Sequence, residues 1–97
     1  MPRPIESNFP KALRHVRTAV GLTQEDFDQV SSRVYISILE RGVKNPTLPK
    51  IDALANAMGV HPLTLLALAY CKGQTADEVR RLFEQVVGEV ESLSQSA

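Results

Sequence analysis

A chain of 97 residues with a single cysteine can bury a modest one-domain core but cannot close an internal disulfide, which suits a reducing, cytoplasmic setting. No apolar run reaches transmembrane length, and Met1 to Pro10 lack the apolar segment of a signal peptide, so no membrane role is expected. Eleven basic residues balance eleven acidic ones, yet residues 1–50 hold eight against five and residues 51–97 three against six, which permits local phosphate attraction without a globally cationic surface.

Every periodic segment reads as helix, with no alternating strand pattern, so the fold class is all-α. The first helix is expected from about Pro10 to Val20, with Leu13, Val16 and Val20 on one face and Gly21 as its stop. Thr23 suits the cap of a second helix, whose first turn holds Gln24, Glu25 and Asp26 and whose core residues are Phe27 and Val30. Ser31 or Ser32 caps a third helix that carries Ile36 and Leu39 inward and ends at Gly42. Asn45-Pro46 then breaks the chain. A fourth helix starts at Thr47 or Leu48, buries Ile51, Leu54, Ala55 and Met58, and ends at Gly59. A fifth begins at about Pro62 and is apolar nearly all round, the mark of a core centre or an oligomer seam, with Gly73 closing it. Cys71 reads as a small core residue in preference to a reactive thiol. Thr75 with Glu78 forms a capping box for a sixth helix from about Ala76 to Ser92, and the tail from Ser94 to Ala97 is expected to fray. Along this helix Val79, Phe83, Val86, Val90 and Leu93 alternate by four and three, as a coiled-coil seam does. A dimer contact is preferred there over a face packed back on its own domain.

Four blocks stand out between Leu13 and Leu66: Leu22-Thr23-Gln24-Glu25, then Ile36-Ser37-Ile38-Leu39-Glu40-Arg41-Gly42, then Asn45-Pro46-Thr47-Leu48, then Ala57-Met58-Gly59-Val60. In this order they resemble the helix-turn-helix domain of the Cro and lambda-repressor (XRE-type) regulators. The resemblance implies a compact five-helix lambda-repressor-like DNA-binding domain over residues 1–73, with an additional C-terminal dimerisation helix over residues 74–97. It implies double-stranded DNA as partner and neither cofactor nor metal. The third helix would lie in the major groove, presenting Ser32, Arg33, Val34, Ser37 and Ile38 to the bases. Arg33 could pair bidentately with guanine, worth roughly 1–3 kcal/mol of discrimination, and Val34 could meet a thymine methyl. A solvated or phosphate-bound Arg33 is the alternative. Gln24, Lys44 and Asn45 match phosphate-contacting positions, and Arg17 with Glu40 matches a buried ion pair between the first helix and the end of the third.

The chain also departs from the pattern. From Gln24 to Glu40 it is about two residues shorter than the family's spacing and lacks the turn glycine, so either the turn is rebuilt or the second helix loses part of a turn. Asp28 stands where the family has Ala and must face solvent. Ile38 stands where many relatives are polar; exposed, it would touch DNA or protein. The expected function is a sequence-specific regulator, more commonly a repressor, acting as a homodimer on a palindromic operator. The alternative is a protein-interaction or antitoxin module on the same scaffold, with Val34 and Ile38 as its apolar patch. An enzyme is not expected. His15 and His61 lack ligand spacing, no nucleophile or phosphate-loop motif stands out, and no ligand pocket is evident.

Overall fold

The computed structural model describes residues 7–96, and every regular element among them is helical. Helix α1 spans Phe9–Ala19, α2 Arg33–Glu40, α3 Leu48–Met58, α4 Pro62–Tyr70 and α5 Ala76–Ser96, with a 3-10 turn at Gln24–Phe27 between α1 and α2. The all-α fold is the one the periodicity implied; of the six helices expected, the second is cut to a single tight turn and five remain.

Helix α1 starts where the Asn8 side chain accepts from the Lys11 amide at 3.3 Å, and Phe9, Ala12, Leu13 and Val16 form its buried stripe. Val20 was expected on that stripe. It lies past the last helical residue and is 43% exposed, because leaving the helical path takes it off the apolar face. The Asn8 amide donates to the Ala69 carbonyl at 2.7 Å, tying the start of α1 to the end of α4. In α3 the Thr47 hydroxyl accepts from the Lys50 amide at 3.3 Å, and Ile51, Leu54, Ala55 and Met58 are buried. That helix ends on Gly59 at φ 74°, a left-handed conformation glycine adopts without penalty. Phe27, Leu13, Ile36, Leu39, Leu54 and Leu65 are the largest fully buried side chains, drawn from α1 to α4 and the 3-10 turn. Each contributes about 1.5–3 kcal/mol of apolar burial, so these elements form one core.

Two expectations about the second half need correction. Helix α4 ends at Tyr70, ahead of Gly73, where Cys71 turns its side chain into the core on an extended backbone. The capping box is also only half formed. The Thr75 hydroxyl accepts from the Glu78 amide at 3.3 Å, but the Glu78 carboxylate reaches back to the Gly73 amide at 2.8 Å. Helix α5 then continues to Ser96, past the end expected near Ser92, and Ala97 of the expected tail lies outside the described residues. No glycine or proline interrupts the end of this 21-residue helix, and the Ser94 hydroxyl donates to the Val90 carbonyl at 3.0 Å. Its first half lies beside α4, and its second half extends beyond the domain, giving a shape of 46 × 27 × 25 Å. Among the described residues no single helix is long and apolar enough to cross a membrane.

Candidate nucleic-acid interface

Helix α2 holds most of the residues singled out from sequence, and its two ends are held differently. At its N-terminus Ser32 is the cap, its hydroxyl accepting from the Tyr35 amide at 3.1 Å. Ile36 and Leu39 point into the core, which leaves Arg33 and Val34 exposed in the first turn and Ser37 and Ile38 half-buried. The segment leading into α2 resolves the shortened spacing by losing helix. In the 3-10 turn the Asp26 amide donates to the Thr23 carbonyl and the Asp28 amide to the Glu25 carbonyl, each at 3.2 Å. The Asp26 carboxylate accepts from the Thr23 amide at 2.7 Å, and the Phe27 carbonyl accepts from both Val30 and Ser31 at 2.7 Å. Asp28 faces solvent.

Lys50 of α3 braces this turn. Its Nζ donates to the Val30 carbonyl at 3.1 Å and lies 5.4 Å from the centre of the Tyr35 ring. The cation thus joins the turn, the first part of α2 and α3. Sequence reading missed it because the partner is a backbone carbonyl twenty residues away, for which no local pattern exists.

At the other end of α2, Glu40 meets Arg17 in a two-pronged pair, Nε to Oε2 at 2.6 Å and Nη2 to Oε1 at 3.0 Å. The side chains are 12% and 5% exposed. The remaining valences are filled: Arg17 Nη1 donates to the Leu22 carbonyl at 2.9 Å, and Gln24 Nε2 to Glu40 Oε1 at 3.1 Å. The hydrogen bond to Glu40 raises the Arg17 pKa above the ordinary guanidinium value, outweighing the lowering by burial. Removing either partner would strand a charge in the core.

The remaining residues singled out from sequence lie around α2. Arg33 Nε is 3.7 Å from Glu25 Oε1, with both side chains about two-thirds exposed at 66% and 68%, a loose surface pair. Val34 is 67% exposed. Gln24 is half-buried against Glu40 and keeps a second amide proton to donate, as Ser32 keeps its hydroxyl proton. Lys44 and Asn45 are exposed on the turn after Gly42, which has φ 74°. A Cβ at Gly42 would meet Pro10 Cγ at 3.4 Å, an ordinary contact, so it is the left-handed backbone that makes a side chain there strained.

Elsewhere, His15 is exposed on α1, and His61 caps α4 by accepting from the Leu63 amide through Nδ1 at 3.0 Å. No three His, Cys, Asp or Glu among the described residues gather as a metal site. Burial, then the nearby charge of Glu78, push the Cys71 thiol up and favour its protonated form. A groove of about 620 Å³, which the sequence did not reveal, lies between α4 and the first half of α5, lined by Leu63, Ala67, Leu68, Val79 and Phe83 with Arg80 beside them.

Comparison with known proteins shows the family. A family model described as helix-turn-helix matches residues 13–65. An uncharacterized HTH-type transcriptional regulator, y4dJ of Sinorhizobium fredii (strain NBRC 101917 / NGR234), is 41% identical over 64 residues, covering 64% of this chain and 78% of its own length. No solved structure matches the chain.

Proposed function

The chain belongs to the XRE-type helix-turn-helix family of transcriptional regulators, and on that premise we propose that it binds DNA without catalysis, as a homodimer on a palindromic operator. Helix α2 enters the major groove with its N-terminus toward the bases, so that Arg33 and Val34 read sequence, with Ser32, Ser37 and Ile38 beside them. Lys44, Asn45 and Gln24 meet the phosphates and fix the register. Two copies of α2 occupy successive major grooves, and bound protein occludes the promoter. Residues 1–73 serve as the DNA-binding unit and α5 as the dimerising one, working in the cytoplasm.

The observation that carries this reading is the pairing of a locked and an open end in one short helix. The Arg17–Glu40–Gln24 network fixes where α2 stands, while Arg33 and Val34 at its leading end are about two-thirds exposed. The solvated Arg33–Glu25 pair costs little to exchange for a base edge, since such pairs are worth about 0–1 kcal/mol.

Selection of bound duplexes from a random pool, at two salt concentrations, tests it. A two-fold symmetric consensus with binding that weakens steeply as salt rises is the expected result. Salt-insensitive capture of a protein, with no duplex affinity, would replace it with the interaction-module reading, for which the exposed Val34 is the supporting feature.

A further inference from the structure

Helix α5 is polarised along its length in two independent ways. Exposure climbs along its apolar seam, from Phe83 at 38% through Val86 at 41% and Val90 at 54% to Leu93 at 71%. The first half instead shares the apolar groove of about 620 Å³ with α4. Charge follows the same division. Arg80 lines the groove with no carboxylate among the lining residues, whereas the part of α5 beyond Val86 carries Glu89 and Glu91 and no base, Glu84 standing two residues before Val86. Asp77 pairs with Arg80 at 2.6 Å, a solvated contact that both can exchange, and Glu78 accepts from the Gly73 amide at 2.8 Å. The groove thus has an arginine at its edge, and the half of α5 beyond Val86 is an apolar ridge flanked by Glu89 and Glu91.

We propose that this groove receives the second half of α5 from a second copy of the chain, so that the dimer pairs its α5 helices antiparallel about Val86. The proposal rests on the homodimer reading above and adds its geometry. Seam spacing about Val86 sets Val79 against Leu93 of the partner subunit and Phe83 against Val90 of the partner subunit. Arg80, one residue along from Val79, comes beside Glu91 of the partner subunit, twice over by symmetry. Its present partner Asp77 is no obstacle, because Arg80 is 70% exposed and free to rotate. A parallel pair would stack the acidic halves on each other and leave the groove unfilled. Ten residues at about 1.5 Å each separate Ala76 from the axis, so the two domains leave the helix pair about 30 Å apart.

Cysteine cross-linking of the full chain in a Cys71→Ala background tests the orientation. Mixed Val79→Cys and Leu93→Cys proteins are expected to form a disulfide-linked heterodimer on oxidation, and Leu93→Cys alone none, because its two copies lie about 21 Å apart. Self-linking of Leu93→Cys without the mixed product would overturn the antiparallel arrangement and leave the homodimer standing. Charge reversal gives a readout that does not need the cysteines. Arg80→Glu or Glu91→Arg is expected to raise the dimer dissociation constant roughly three- to tenfold, and both changes in one chain to restore it. Failure of the double variant to recover contradicts the contact. A monomer at every concentration in sedimentation overturns the dimer itself, while duplex selection reports on DNA binding separately.

Discussion

The two ends of α2 are built to opposite specifications. Its C-terminal end is closed by a nearly buried ion pair in which Glu40 accepts from Arg17 twice and from Gln24 once. Its N-terminal end follows a single 3-10 turn, is braced by one lysine, and carries an arginine whose charge partner is a solvated glutamate at 3.7 Å. A reading helix needs a fixed origin and adaptable tips. In the proposed reading the fixed origin is the C-terminal end of α2, and the adaptable part is the exposed first turn that carries Arg33 and Val34.

The largest expected effect breaks the locked end. Glu40→Ala leaves Arg17 charged, nearly buried and unpaired, and should destabilise the fold by about 3–5 kcal/mol in denaturant titration. Replacing both partners by apolar residues, Arg17→Met with Glu40→Leu, should recover much of that loss; no recovery would mean the pair matters for more than charge compensation. Next in size is the brace at the other end. Lys50→Met removes the bond to the Val30 carbonyl and should cost about 1–2 kcal/mol. It should also lower operator affinity more than random-duplex affinity, because it loosens the placement of the reading residues; by contrast, Lys44→Ala should lower both alike. Equal losses for the two lysines in a binding titration would remove Lys50 from that positioning role. The smallest effect is on the loose pair. Glu25→Gln frees Arg33 and removes a negative charge beside the DNA path, so stability should change by less than about 0.5 kcal/mol while duplex affinity rises a few-fold at low salt. Unchanged affinity would place Glu25 away from the DNA.

What the sequence disclosed follows from how local each signal is. Thr47, Gly59, Pro62 and the heptad spacing of α5 act through neighbours within a turn or two, so helix identity and most ends were legible. The partnership of Arg17 with Glu40 came from resemblance, since twenty-three residues separate them and no periodicity links the two. The missing residues before α2 were visible as a shortened spacing, but not their resolution, which depends on Phe27 being buried while its carbonyl accepts two amides. Lys50 was beyond reach for the same reason: its side chain stabilises a backbone carbonyl, and any lysine on an exposed helix face looks the same in sequence. The end of α4 was misjudged because Gly73 looked like a helix stop, whereas its amide is where Glu78 binds. The helix itself ends earlier, where Cys71 enters the core.

Arg33→Ala measured on the selected operator and on random duplex at one salt concentration tests the central claim most directly. With α2 reading bases through its open end, operator affinity should fall about tenfold or more and random-duplex affinity should change little. Equal losses on both duplexes would contradict it, leaving Arg33 a phosphate contact and α2 without its principal reading residue.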